Sequence, residues 1–247
     1  MANTFVILNA IVALCFLSTS VLADRSSRIL DGDDVASTKY PWACSLRANN
    51  IHVCGATIIA DKFILTAAHC VSGINVKDLS VRLGSINQYA GGSIVNVESI
   101  SIHPNFGNFL NDLAILKLEH ALTWSQKVRS IELAAEDEVI ENAASVIIAG
   151  WGLLKTGATP YKLQETRFTA LGRAECELEA GYGYNSTLCL QRPVENGICN
   201  GDYGAGCISE GKLVGVAGFA FGGCGTKLPD VAMLVSYARE WINSIIA

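Results

Sequence analysis

The stretch Asn200-Gly201-Asp202-Tyr203-Gly204-Ala205 decides how this chain is interpreted. It places a carboxylate and a tyrosine side by side between two glycines, in a loop. One short loop carries little meaning alone, so its interpretation depends on stretches elsewhere in the chain. Three of them bear on it, namely Thr66 to Cys70, Asn111 to Leu116 and Ala149 to Gly152.

The composition indicates a secreted domain with disulfides. The chain has 247 residues, half of them hydrophobic, which is enough for one large domain or two fused half-domains. The net charge is −5 and there is no basic block, so nucleic acid is not expected as a partner. Residues 1–23 are typical of a secretory signal, because Phe5 to Leu17 is mostly apolar and Val21-Leu22-Ala23 fits a small-residue cleavage site. The alternative is a membrane anchor, for which the apolar run is short. Eight cysteines remain once Cys15 leaves with the signal, and this even number predicts disulfides rather than a metal site.

Short apolar runs predict an all-β fold. They occupy the region from Trp42 to Leu133 and return after Ala144, with Gly and Asn between them. The only convincing helical pattern is the last stretch, Val235 to Ile246. Two β-rich halves followed by a helix predict two barrels. The runs are His52–Cys54, Phe63–Leu65, Val81–Leu83, Leu113–Leu118, Val146–Ile148 and Leu213–Val216.

Taken together, these stretches resemble the trypsin-like serine proteases over residues 29–247. Thr66 to Cys70, with Cys54 sixteen residues before Cys70, resembles the family's histidine motif. Asn111 to Leu116 resembles its aspartate segment, and Asn200 to Ala205 its Gly-Asp-Ser-Gly-Gly nucleophile loop. The resemblance implies two six-stranded antiparallel β-barrels with a C-terminal helix. The implied triad positions are His69, Asp112 and Tyr203.

Tyr203 stands where the family has its serine nucleophile. By covalent geometry a phenolic oxygen lies ~6.5 Å from its Cα and a serine oxygen ~2.4 Å, so Tyr203 cannot supply the attacking oxygen. The backbone N–H groups of Gly201 and Tyr203 would form the oxyanion loop, which the methyl group of Ala205 could shift. Further departures from the family pattern are Gly218 for a serine, Phe219 for a tryptophan and Ala220 for a glycine. These changes predict a protein that does not cleave peptides.

Two other implied sites belong to activation and specificity. Residues 24–28 would be a short propeptide. Cleavage after Arg28 would free an amino group at Ile29, which would pair with buried Asp202. The alternative is that this segment is an ordinary linker that is not cleaved for activation. Gly197 would form the base of the specificity pocket. Asp230 either projects into that pocket or is a solvated turn residue. If the Tyr203 ring fills the pocket, its phenol would hydrogen-bond Asp230.

The cysteines and one sequon complete the candidate sites. The resemblance implies the bridges Cys54–Cys70, Cys176–Cys189 and Cys199–Cys224. Cys44 and Cys207 are left over, and they form either a fourth bridge or two buried free thiols. Asn185-Ser186-Thr187 is a glycosylation sequon.

The preferred function is that of an inactive protease homologue that binds other proteins, without cofactor or metal. The alternatives are an active endopeptidase with an atypical nucleophile, for which Ser209 is a poor candidate, and a decoy that captures substrates or inhibitors. Tyr203 and the altered start at Ile29 look most like the scabies mite inactivated protease paralogues. That resemblance implies a monomer secreted into the gut lumen that binds host complement components. We expect neither a nucleic acid nor a membrane partner.

Overall fold

The computed structural model describes residues 33–34, 36–192 and 197–247 of the chain, with the side chains of Asp33 and Asp34 excepted. The proposed signal peptide and propeptide, and with them Arg28 and Ile29, lie outside these residues. The strands are β1 (Asp33–Asp34), β2 (Ala43–Ala48), β3 (Ile51–Ile58), β4 (Phe63–Thr66), β5 (Leu79–Leu83), β6 (Ser93–Ile102), β7 (Ala114–Leu118), β8 (Glu132–Leu133), β9 (Ser145–Gly150), β10 (Gln164–Leu171), β11 (Thr187–Gln191), β12 (Gly206–Ser209), β13 (Lys212–Ala220) and β14 (Asp230–Leu234).

The first half of the chain forms a closed barrel of six antiparallel strands. They pair in the order β2-β3-β4-β7-β6-β5, and β5 closes the barrel on β2. The predicted runs of this half lie in or beside β3, β4, β5 and β7. Their inward side chains, such as Ile64, Val81 and Leu116, are completely buried. Side chains alternate between the two faces of each strand, and the barrel core is built from the face that points inward.

The second half repeats this architecture. β9, β10, β11, β14, β13 and β12 pair in that order, and β12 returns to β9. β1 adds to β10, and β8 runs parallel to the start of β13. Phe168 and Val216 are among the buried side chains of this barrel. The prediction of two six-stranded antiparallel barrels is confirmed.

Two α-helices occur in the described part of the chain, besides two short 3-10 helices, Ala68–Cys70 and Val76–Asp78. The C-terminal helix α2 (Arg239–Ile246) begins four residues later than the predicted Val235, because Val235 to Ala238 form turns. The helix α1 (Arg173–Ala180) was missed. It buries only Cys176, so its sequence lacks an apolar stripe, and it ends at Gly181 in the left-handed conformation. Neither described helix is long and apolar enough to span a bilayer.

The cysteines form three disulfides, Cys54–Cys70, Cys176–Cys189 and Cys199–Cys224. They are the three pairs that the family resemblance implied. Cys44 and Cys207 are buried free thiols, so the fourth bridge left open as an alternative is absent. Burial raises the pKa of both thiols, which therefore stay protonated and behave as small apolar side chains.

Candidate active site

His69 and Asp112 form a complete hydrogen-bonded pair. Asp112 lies just before β7 and is 3% exposed. One of its oxygens accepts from the backbone N–H of His69 at 2.8 Å, and the other lies 2.6 Å from Nδ1 of the ring. Nδ1 donates because a carboxylate only accepts, so Nε2 carries the lone pair, as a general base requires. The disulfide sulfur of Cys70, which has no proton to donate, lies 3.5 Å from Nε2.

Tyr203 occupies the position beside this imidazole. Its ring meets the ring of His69 edge to face, with centroids 5.5 Å apart. Burial raises the pKa of Tyr203, and the charges of Asp230 and Asp202 raise it further. Its hydroxyl makes no hydrogen bond to any residue that the structure describes. The side chain is thus a neutral phenol with no activating partner among those residues.

The loop that carries Tyr203 is fixed between the barrels. Gly55 of β3 donates its N–H to the Tyr203 carbonyl at 2.8 Å, and Gly204 donates to Ala217 of β13 at 2.7 Å. Gly204 has φ +82° and faces Gly55, where a side chain would overlap the backbone of the first barrel. The N–H groups of Gly201 and Tyr203 have no acceptor among the described residues, so both predicted oxyanion donors are unpaired there.

Asp202 is fully buried under the Ala149–Gly152 stretch. Its two oxygens accept from Gly152 N–H at 2.7 Å and Cys199 N–H at 3.0 Å. A Cβ on Gly152 would overlap the carboxylate of Asp202, since even the farther of its two oxygens would lie only 2.7 Å away. Gly150 is similarly crowded, which explains why both positions are glycine. Burial outweighs the two donors and raises the pKa of Asp202 to about 7. Its expected partner, the amino group of Ile29, lies outside the described residues.

His52 is a partly buried residue of this region that the sequence analysis did not identify as part of the site. Its Nε2 donates to the Gly201 carbonyl at 3.0 Å. The other ring nitrogen, Nδ1, must then accept, and it does so from the hydroxyl of Ser45 at 2.8 Å. Burial lowers the pKa of His52 to about 4, so the ring is neutral. The only signal in the sequence was a polar residue within the apolar β3 run.

A second missed residue, Arg192, fills the expected specificity pocket. Its guanidinium pairs with Asp230 on β14, with Nε–Oδ2 at 2.9 Å and Nη2–Oδ1 at 3.2 Å. Nη1 donates to the Thr226 carbonyl at 2.8 Å, and Ile198 N–H donates to Asp230 Oδ2 at 2.9 Å. A Cβ on Gly197 would lie 2.6 Å from both Cζ of Arg192 and Oδ2 of Asp230. The ion pair therefore occupies the space over the pocket base.

These contacts correct two expectations about Asp230. It is completely buried, so it is not a solvated turn residue. The Tyr203 hydroxyl does not hydrogen-bond to Asp230, and the structure describes both residues. The hydrogen bond expected if the Tyr203 ring filled the pocket is therefore absent. Burial raises the pKa of Asp230 to about 6, because desolvation outweighs the charge of Arg192 and the Ile198 hydrogen bond, and the carboxyl stays ionised at neutral pH.

The remaining departures from the family pattern lie along β13. Gly218 supplies no hydroxyl to Asp112, and the methyl group of Met233 lies 3.2 Å from where a Cβ on Gly218 would be. Ala220 pairs with Asp230 across the β13–β14 ladder. Phe219 belongs to an aromatic cluster that we define as Phe109, Tyr182, Tyr184, Phe219 and Phe221.

The aromatic cluster joins the two barrels. Phe109 comes from the first barrel, and its ring lies 5.4 Å from that of Phe219 on β13. Tyr182, from the second, has its ring 5.3 Å from Phe219 and donates its hydroxyl to the Phe109 carbonyl at 2.7 Å. Phe109 is 69% exposed. The rings thus form a partly exposed cover over the β13 segment.

Among the described residues, the only cluster with ligand-type atoms close enough for a metal ion is Cys54, His69 and Cys70. Its two cysteines are joined in a disulfide, so they offer no thiolate.

Comparison with known proteins supports the resemblance. The Trypsin family model matches residues 29–242. Trypsin beta of Drosophila erecta is 31% identical over 249 residues, or 96% of this chain and 97% of the relative. Trypsin delta of Drosophila melanogaster is 32% identical over 252 residues, or 97% and 98%. The solved structure of scabies mite inactivated protease paralogue S-D1 matches with a TM-score of 0.81 at 28% identity, over 87% of this chain and 96% of that one. Mouse neuropsin, a serine protease, has the same fold, with a TM-score of 0.80 at 23% identity over 88% and 99%.

Proposed function

The chain belongs to the trypsin family of serine proteases, and we propose that it is a catalytically inactive member that acts by binding protein. The observation that carries this proposal is the Tyr203 ring packed against His69 with centroids 5.5 Å apart. The reaction needs a small hydroxyl whose proton the imidazole can take. A bulky phenol with a raised pKa supplies neither the geometry nor the reactivity.

The filled specificity pocket supports the same conclusion independently. In the family a substrate side chain enters the space over Gly197, and here the guanidinium of Arg192 occupies it. A substrate could enter only by displacing a buried ion pair, which leaves Asp230 without its charged partner. This also argues against a decoy that captures substrates through that pocket.

The fold of an active relative is otherwise retained. The His69–Asp112 pair, the buried Asp202 and the three disulfides persist although the nucleophile is absent. Ser209 cannot replace the nucleophile in the conformation described, because it is 7% exposed on β12 and its hydroxyl donates to the Ser145 carbonyl at 3.0 Å. A rigid scaffold without an open cleft suits a role in binding.

An activity test separates this proposal from an active protease. The full chain, before and after cleavage behind Arg28, would be treated with a chromogenic peptide panel and a fluorophosphonate label. We expect neither turnover nor labelling above a heat-denatured control. Tyr203→Ser alone should also stay inactive towards substrates with basic side chains, because Arg192 still fills the pocket. Labelling of the wild-type chain at any residue near His69 would refute inactivity.

For the partner we propose complement recognition proteins, bound by a monomer secreted into the gut lumen. Three disulfides support an oxidising compartment, and the resemblance to the mite paralogues supports the partner class. Surface plasmon resonance against purified complement recognition proteins tests it, with Drosophila trypsin as the matched scaffold control. Binding below micromolar Kd by this chain and not by the control is the expected result. No binding at micromolar concentration would remove this partner class without affecting the inactivity proposal.

A further inference from the structure

A groove lies on the second barrel, and none of the triad residues line it. It has a volume of about 510 Å³, which is within the range of ligand sites. It is lined by the loop 137–142, by the start of α1, by the turn before β11, and by Ser236 and Tyr237. Neither the triad positions nor Arg192 contribute to it.

Asn185 lies on the rim of this groove. It is the first residue of the Asn-Ser-Thr sequon and sits in the turn that precedes β11. Its side chain is exposed and makes no hydrogen bond to a described residue. The turn is itself well defined, because the Thr187 hydroxyl donates to the Tyr184 carbonyl at 3.1 Å. A group attached to Asn185 would therefore start from a fixed point at the groove.

The groove offers the chemistry that binds a sugar chain. Tyr184 and Tyr237 line it and are 47% and 57% exposed, so each presents ring surface to an occupant. The Tyr184 ring is held edge to face by Tyr182, with centroids 4.8 Å apart, so little side-chain entropy remains to be lost on stacking. Asp137 and Glu141 add carboxylates that can accept hydrogen bonds from sugar hydroxyls.

We propose that Asn185 carries an N-linked glycan whose first sugars lie in this groove, stacked on Tyr184 and Tyr237. The inference rests on the proposed secretion of the chain, since the attachment occurs in the secretory pathway. It does not rest on inactivity. The glycan would cover ring surface that is otherwise exposed beside the acidic loop 137–142.

Attachment is tested on the full chain, with its own N-terminal segment, secreted from cultured insect cells. We expect glycopeptide mass spectrometry to find N-acetylhexosamine on Asn185. Asn185→Gln should lose the glycan, whereas Thr187→Ser keeps the sequon and should retain it. Secreted protein with unmodified Asn185 would overturn the inference while leaving the proposed secretion intact. Retention of the chain inside the cells would instead overturn both.

Whether the glycan lies in the groove is tested by measuring whether its presence changes the effect of substituting a tyrosine that lines the groove. Tyr237→Ser should lower the Tm both of the glycosylated protein and of the Asn185→Gln variant, which carries no glycan. The decrease should be about 2–4 °C larger in the glycosylated protein, because one stacking contact contributes a shift of that size in a chain of this length. Tyr161→Ser is the control, because Tyr161 is 72% exposed but does not line the groove. An equal effect of Tyr237→Ser in both backgrounds would overturn the seating of the glycan.

Discussion

Replacing Arg192 with alanine should destabilise the protein strongly, because it leaves the carboxylate of Asp230 buried. That carboxylate now receives two guanidinium hydrogen bonds and one from Ile198 N–H. The side chains of the pair are 2% and 0% exposed, so water does not screen it. Breaking a buried pair by removing one partner costs about 3–5 kcal/mol. At about 2–4 °C for each kcal/mol, the Tm should fall by roughly 6–20 °C.

The measurement is urea unfolding followed by tryptophan fluorescence with the disulfides intact. Arg192→Ala should lower the midpoint with little change in the m-value, because the native fold remains. Lys117→Ala is the matched control, since Lys117 and Glu98 form an ion pair at 2.9 Å with side chains 39% and 46% exposed. Loss of an exposed pair should cost less than about 1 kcal/mol. If Arg192→Ala costs no more than Lys117→Ala, the unpaired carboxylate of Asp230 does not destabilise the folded state.

A guanidinium-like ligand should rescue the same variant. Benzamidine can enter the space that Arg192→Ala opens and pair with Asp230, and binding to the folded state alone raises stability by about 2.7 kcal/mol at a hundred times its Kd. We expect a Tm increase for Arg192→Ala but not for the wild type, whose pocket is filled. The double variant Arg192→Ala/Asp230→Asn should lose the response. An equal Tm increase in the wild type would mean that benzamidine binds elsewhere.

Three further predictions concern the buried groups around the nucleophile loop. His52 has a folded-state pKa of about 4, below the unfolded value of about 6.5, so the free energy of unfolding should fall by on the order of 3 kcal/mol as the pH drops through that window. His52→Gln should remove this dependence in pH-resolved urea titrations, and His120→Gln, at an exposed site, should retain it. Asp202 acts in the opposite direction, because its folded-state pKa of about 7 lies above the unfolded value. The free energy of unfolding should therefore fall as the pH rises from about 4 to 7. Asp202→Asn should remove this pH dependence in the uncleaved chain. Gly152→Ala places a methyl group in overlap with the buried carboxylate of Asp202 and should cost at least about 1–3 kcal/mol; an unchanged urea midpoint would contradict that crowding.

The sequence predicted the barrels well because their signal is local. Runs such as Phe63 to Leu65 and Val146 to Ile148 lie in strands and bury most of their apolar side chains. The motifs around His69 and Asp112 indicated the family and with it the two-barrel fold. Helix α1 was missed because a short polar helix that buries one cysteine has neither the length nor the apolar stripe by which helices are recognised. Its end was still marked by Gly181 in the left-handed conformation.

The site was predicted at its motif positions and missed where it depends on tertiary contacts. His69 and Asp112 meet as expected, and the orientation of Tyr203 against His69 emerged only in the folded chain. Arg192 and Asp230 are 38 residues apart, and nothing in the spacing of the chain indicates that they pair. The glycine at position 197 marked a cavity, but it could not show which side chain fills that cavity.

The ion pair over Gly197 also bears on how this lineage could change. A reversion at position 203 alone would restore a hydroxyl facing a closed pocket, so selection for peptide cleavage would find no benefit in it. Opening the pocket first removes one charge from a buried pair and passes through a less stable protein. Both routes begin with a step that selection does not favour. The inactivity that we propose would in this sense be maintained by the stability of the fold as well as by the tyrosine at the nucleophile position.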